Sequence, residues 1–273
     1  MTEAQIEDCD QCLNRRRGTD DVARLCSIKG KNTDFDGKCT DFDRDSGVVV
    51  GAGDKINAIR PNKKRAEIAQ LFIWAVMVIQ IVSTASSYFQ LQLLNAINTN
   101  EGVTDVMIAA NDDREQFVAI TYLVFLLISG ITFIQWFRRA YYNLSIRTRC
   151  DYGEGWASGS WFVPIMSLVR PYRIMVELST KTTNLINQKN NGTIPLNSNL
   201  IGIWWTLWII IIYGGKYIGR FTAKAESVPQ LIYSTKIDMI IALSFIPLAI
   251  ITVFMIQSYA KKEEILNELE SNC

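Results

Sequence analysis

The stretch Phe133 to Tyr172, FIQWFRRAYYNLSIRTRCDYGEGWASGSWFVPIMSLVRPY, decides how this chain is read. It leaves an apolar run through a collar of Trp136, Phe137, Arg138, Arg139, Tyr141 and Tyr142, then turns back through GWASGSWFVPI. Aromatic rings and guanidinium groups each combine a part that prefers hydrocarbon with a part that prefers water, so the collar is expected at the headgroup level of a bilayer. The second piece, Gly155 to Leu168, carries Pro164 inside it and is closed by Arg170 and Pro171. As a helix its 14 residues would reach about 21 Å, against roughly 30 Å of hydrocarbon. It is expected to lie in the interface, anchored by Trp156, Trp161 and Phe162, or to re-enter the membrane. A buried helix packed on the rest of the protein is the plain alternative. Arg170 is expected to hold phosphates or carboxylates beside this element.

Working outward, the motifs FxxWFRRAYYNL and GWASGSWFVPIMSLVRPY resemble the signature of a bacterial family of small four-span membrane proteins known only as a domain of unknown function. The likeness covers roughly residues 65–259. It implies a fold and a membrane, and no activity.

The residues themselves give the same class. A chain of 273 residues that is 49% hydrophobic in long blocks is not one soluble domain; the blocks are spans. The first is expected over Ala66 to Ile97, behind the basic run Asn62-Lys63-Lys64-Arg65, with no charge from Ile68 to Asn100. Gln80, Ser83, Ser87 and Gln90 recur on one helical face, which suits interhelical hydrogen bonding, with a pore-lining stripe as the alternative. The second span is expected over Gln116 to Phe137, the third over Asn199 to Tyr217 and the fourth over Ile237 to Tyr259. Pro247 should kink the fourth. Gly215 and Gly219 in the third have the spacing of a close helix contact. Lys216 and Asp238 are expected to pair at the outer end, because a carboxylate is cheaper at a helix end than at its centre.

Charge sets the topology. The connection from Asn98 to Glu115 carries five acids and one base, whereas Arg138 to Ser198 carries eight bases and three acids. By the positive-inside rule the first lies outside, the second in the cytoplasm, and so do both termini. Lys216, Arg220, Lys224 and Lys236 break that pattern around the third connection. The expected location is a bacterial inner (plasma) membrane, and no signal peptide opens the chain. Past Pro171, Arg173, Glu177 and Lys181 fall four apart and should form one charged helix face, with Ile174, Leu178 and Leu185 turned elsewhere. That gives an amphipathic helix along the membrane surface.

Ahead of the spans, residues 1–45 are polar and hold four of the six cysteines, with the spacing C-x2-C-x13-C-x12-C at Cys9, Cys12, Cys26 and Cys39. A Cys-x-x-Cys pair lets two thiolates reach one ion from a single turn, and two distant cysteines can complete a tetrahedron. Zinc is the expected cofactor and iron the second choice; unrelated thiols are the plain alternative. Residues 46–65 read as a linker, and GVVVGAG within it lacks the Gly-Lys-Ser/Thr ending of a phosphate loop. Residues 66–260 form the transmembrane domain and residues 261–273 a short acidic tail.

There is no histidine in the chain. That excludes zincin motifs, Ser-His triads and His-ligated haem. An all-α, four-helix transmembrane bundle with an interfacial or re-entrant helix is the expected fold. The expected role is non-enzymatic: a scaffold or accessory subunit of a larger membrane complex, with a channel or transport component and an iron-binding redox protein as alternatives. Its partners would be membrane lipid and other membrane subunits or a second copy, not nucleic acid.

Overall fold

The computed structural model describes Cys12, Cys39, residues 59–190 and residues 198–271. Helices run in the order α1 Lys63–Asn98, α2 Asp105–Arg147, the short α3 Gly155–Gly159, α4 Arg170–Asn190, α5 Ser198–Thr222 and α6 Val228–Ser271. A single 3-10 turn, Met166–Leu168, separates α3 from α4. The fold is all-α, and α1, α2, α5 and α6 are long and apolar enough to cross a membrane.

The helices outrun the apolar runs that announce them. The 43 residues of α2 and 44 of α6 would each extend about 65 Å, twice the hydrocarbon thickness. Most of the connection expected over Asn98 to Glu115 is therefore helix. Thr104 caps α2, its hydroxyl accepting from the Met107 N–H at 3.4 Å, and Asp105 sits in the first turn beside the positive end of the helix. The true turn starts with a Schellman motif: Asn100 takes φ 56°, its N–H reaches Ile97 O, and Glu101 N–H reaches Ala96 O. At the other end of the chain, residues 261–271 of the expected acidic tail are the last turns of α6. Backbone hydrogen bonding, unlike hydropathy, does not stop where charges begin. Pro247 lies within α6 without ending it.

Packing follows the order α2, α1, α6, α5, each helix against the next, with α4 crossing one end against α6, α5 and α2. We call this end, which also holds the extensions of α2 and α6, the clamp end. The opposite end, with the two short turns, is the hairpin end. The core gathers at the clamp end, where Trp136, Phe137, Ala140 and Tyr141 of α2 are fully buried with Ala69 of α1, Ile174 and Leu178 of α4 and Ile256 of α6. The small side chains let the backbones approach. Elsewhere the spans show apolar side chains outward, among them Leu71, Phe117, Leu127 and Ile131, the surface that lipid covers.

Two sequence patterns resolve differently. On α1, Gln80 and Ser87 are buried and Ser83 and Gln90 half-buried, so the polar stripe faces neighbouring helices. On α5, a β-carbon at Gly215 or Gly219 would meet nothing within 4 Å, whereas one at Gly214 would touch Ile241 Cδ1 at 3.4 Å. That is ordinary van der Waals contact with the end of one side chain, so none of these three glycines is required by a close helix contact.

Candidate functional site

Asn143 and Arg147 lie one turn apart near the end of α2, and Glu263, Asn267 and Glu270 share one face of α6. Between them runs a buried polar clamp. Asn143 Nδ2 donates to Glu263 Oε1 at 2.6 Å and to Arg60 O at 2.8 Å, while Asn143 Oδ1 accepts from Arg60 N–H at 3.1 Å. Asn62 Nδ2 donates to the other Glu263 oxygen at 3.3 Å. Arg147 Nε pairs with Glu270 Oε2 at 2.9 Å and its Nη2 donates to Asn267 Oδ1. Lys189 of α4 reaches Glu270 Oε1 at 3.2 Å, and Lys262 Nζ donates to Thr183 Oγ1 at 3.0 Å. The chain entering α1, the end of α2, α4 and the end of α6 are thus joined by charge-assisted bonds, each worth about 1.5–3 kcal/mol.

A second polar group pins the α2–α3 connection to α4. Glu177, buried, accepts from Tyr141 Oη at 2.7 Å, from Asp151 N–H at 2.7 Å and from Lys181 Nζ at 2.5 Å. Lys181 also pairs with Asp151 at 3.0 Å and donates to Arg149 O at 2.8 Å. The charged face expected of Arg173, Glu177 and Lys181 is therefore split: Arg173 is exposed, and Glu177 is turned inward by the donors that surround it. Burial alone would lower the Lys181 pKa, but hydrogen bonds and charges from Glu177 and Asp151 outweigh it and hold the ammonium above its ordinary value. Beside it, burial and then the Glu177 charge push the Cys150 thiol up to about 12, so it stays protonated at neutral pH.

The expected interfacial helix is broken. Only α3 and the 3-10 turn are helical between Gly155 and Leu168, because three glycines from 153 to 159 and Pro164 weaken the helix while its side chains are drawn in opposite directions. Trp161 turns inward, its ring 5.7 Å from Phe133, 6.2 Å from Phe137 and 5.6 Å from Trp208. Phe162 and Ile165 turn outward, 76% and 78% exposed, with Val163, Pro164 and Val169 exposed beside them. Arg170 stacks 3.6 Å above the Trp156 ring and 5.6 Å from that of Tyr152. Its Nη1 is buried without a hydrogen-bond partner among the described residues. Pro171 does not stop a helix but sits in the first turn of α4, where a missing N–H costs nothing.

The other expected site residues separate. Trp136 is fully buried rather than at the headgroup level, in T-shaped contact with Tyr259 at 5.9 Å. Arg138 is exposed and lies 3.9 Å from Glu154, and Arg139 is half-buried. No ion pair joins Lys216 to Asp238 among the described residues; the Lys216 ammonium lies 5.5 Å from the Tyr213 ring centroid instead. Cys9 and Cys26 lie outside the described residues, Cys12 is buried and Cys39 half-buried. Among the described residues no three His, Cys, Asp or Glu side chains are placed to hold a metal ion. At the hairpin end the sequence missed a cluster: Arg114 donates to Ser86 Oγ at 2.9 Å and to Asn111 Oδ1 at 2.6 Å, and Ser86 Oγ donates to Glu115 at 2.6 Å. Arg114 as the one base in an acidic stretch was its only signal.

Four apolar spanning helices closed at one end by a polar clamp make this a multi-pass α-helical membrane protein. The chain belongs to the family described as a domain of unknown function, DUF4328, which matches residues 99–261. The match begins after α1 rather than at residue 65, so it takes in α2 through α6 and three of the four spans. No curated protein and no solved structure matches the chain.

Proposed function

We propose that this protein is a non-enzymatic scaffold or accessory subunit of a larger complex in a bacterial inner membrane, with the clamp end and both termini in the cytoplasm. One observation carries the reading. The charged and polar groups that come together at the clamp end, Asn143, Arg147, Glu177, Glu263 and Glu270, are spent on holding four elements together. The product is a rigid platform, faced by the exposed residues of α4 and flanked by the apolar tip from Phe162 to Ile165 dipping into the headgroup region. Eight bases against three acids between residues 138 and 198 support the cytoplasmic side.

The same reading gives the segment ahead of α1 one zinc ion held by Cys9, Cys12, Cys26 and Cys39, with iron as the alternative. A structural zinc contributes an apparent ~10–16 kcal/mol in small metal-folded peptides, enough to order a segment with so little apolar content.

The test is native mass spectrometry of the protein extracted from its own membrane. A stoichiometric second subunit is expected, lost when Arg173, Asn184 and Gln188 on the exposed side of α4 are changed to glutamate. A monomer that conducts ions in liposomes would overturn the scaffold reading in favour of a channel.

A further inference from the structure

Three arginines come together along the seam between α1 and α2, where the two helices pass out of the apolar zone at the clamp end. Their places are set by positions 135, 139 and 143, which follow one another on a single face of α2. Arg65 of α1 donates from Nη1 to Gln135 O at 3.2 Å. Arg139 stands one turn further on, and one turn beyond it Asn143 holds the backbone of Arg60 through both of its amide atoms. Arg60 lays its guanidinium over the Tyr142 ring, 4.5 Å from the centroid. The strip is about 12 Å long, and Arg138 adds a fourth charge beside it. Arg60, Arg65 and Arg138 are all close enough to Arg139 for their charges to act on it. The acids lie elsewhere. On the other side of α1, Lys63 pairs with Glu264 at 3.2 Å and Glu67 lines the groove toward α6. Glu263, whose charge Arg139 also feels, is buried and accepts from Asn143 and Asn62. Among the described residues Arg138 alone of the four arginines has an acid within ion-pair distance, Glu154 at 3.9 Å.

We propose that this strip binds the headgroup of an anionic phospholipid in the clamp-end leaflet, its phosphate oxygens accepting from the guanidinium groups of Arg65 and Arg139. Three observations converge on this occupant. Like charges gathered on one seam repel one another, and an anion set between them turns that repulsion into attraction. Depth selects the anion. Arg65 lies three residues before Ile68, where the charge-free run of α1 begins, and Arg138 directly follows Phe137, where that of α2 ends. The two levels are therefore within about 5 Å of the hydrocarbon edge, where lipid phosphates sit, and an acidic protein or a nucleic acid would have to enter the headgroup layer to reach Arg65. Access is open as well: Arg60 and Arg138 are exposed and Arg65 and Arg139 half-buried. A guanidinium offers phosphate oxygens a planar pair of N–H donors, and Arg60 keeps its edge free while its face rests on Tyr142. The inference needs the membrane and depends neither on the scaffold role nor on the side that the clamp end faces.

The experiment uses the full chain in nanodiscs of phosphatidylcholine with a minority of phosphatidylglycerol, two lipids that share the phosphate and differ in net charge. Native mass spectrometry of the released protein counts which lipid stays bound. Phosphatidylglycerol is expected at about 25-fold its share in the nanodisc, and Arg65→Gln and Arg139→Gln should each lower that about fivefold, the usual effect of one basic side chain at a charged membrane surface. Together they should bring it to the nanodisc ratio. Arg60→Gln, which leaves the backbone bonds to Asn143 in place, should lower it too and serves where the double variant fails to fold. Lys63→Gln removes the same charge from the α6 side of α1 and should leave the enrichment unchanged. Retention at the nanodisc ratio in the wild type, undiminished retention in the arginine variants, or an equal fall in Lys63→Gln would overturn the proposal. So would displacement of the lipid by inorganic phosphate, which would make this a site for a free anion. Loss of a co-extracted protein in place of lipid in the double variant would overturn it in favour of an acidic protein partner.

Discussion

The two ends of this bundle are built on different terms. At the clamp end α2 and α6 run past the apolar zone, α4 crosses beneath them, and Asn143, Arg147, Glu177 and Glu263 are buried with partners from other elements. At the hairpin end the turns at residues 99–104 and 223–227 are short, and the main polar contact is the part-exposed cluster of Arg114, Ser86, Asn111 and Glu115. Inside a bilayer, helix association gains little from burying apolar surface that lipid would cover as well. Where helices emerge, polar groups that bridge elements decide which neighbours they keep. Rigidity therefore belongs to one end, and the other is left to the spans themselves.

The comparison breaks or sharpens on four measurements. The largest effect should come from Glu263→Ala or Arg147→Ala, since removing one partner of a buried, hydrogen-bonded charge costs about 3–5 kcal/mol. Thermal unfolding in detergent should show this loss for both, against about 1 kcal/mol for Arg114→Ala at the hairpin end. Equal losses at the two ends would dissolve the distinction. Next, Trp161→Ala should cost about 1.5–3 kcal/mol for the aromatic surface it returns, while Arg173→Ala on the exposed side of α4 should stay within about 0.5 kcal/mol. Identical midpoints for that pair would remove the inward anchor.

A smaller effect concerns pH. Cys150 and Lys181 both have folded pKa values above their ordinary ones. For Cys150 the stabilisation is present below an unfolded value of about 8.5 and is lost as pH rises toward the folded value of about 12. For Lys181 it is present below about 10.4 and is lost as pH rises through the raised folded value. The group around Glu177, which pins the α2–α3 connection to α4, should therefore weaken in alkali. Maleimide should label Cys150 slowly at pH 7.5 in the folded protein, and Cys150→Ala should flatten the alkaline limb of the melting curve. Fast labelling at pH 7.5 would contradict a protonated thiol. The smallest effect on the bundle should follow chelation: one zinc per chain is expected to leave the cysteine segment with the bundle melting unchanged, and metal analysis together with a melting curve checks both halves.

Much of the architecture was legible before any coordinates. Thirty-three residues without charge from Ile68 to Asn100 can be satisfied only by a helix in lipid, because no other open structure there pairs its own backbone groups. The same argument placed α5 and α6, and the 3.6-residue period placed α4. Helix ends were less legible, since hydropathy reports the membrane and not the backbone. Asp105 to Glu115 and residues 261–271 are polar, yet they continue helices whose hydrogen bonds do not depend on apolarity.

What the sequence alone determined was the class of fold, the number of spans and the interior face of the polar stripe on α1. Each follows from local composition and period, which a chain carries in one dimension. What only the tertiary structure decided was which of two similar side chains went in and which went out. Trp136 and Trp156 both read as membrane-interface residues, but Trp136 is fully buried and Trp156 is 38% exposed beneath Arg170. Trp161 and Phe162 are adjacent and point opposite ways. Glu177 looked like one rung of a solvated ladder and became the acceptor of three donors. An aromatic ring or a carboxylate gains as much from a core partner as from an interface, so its type cannot say which it meets. That depends largely on neighbours distant in the chain, such as Tyr141 for Glu177, 36 positions away, and Asn62 for Glu263, 201 positions away, and only the packed helices supply them.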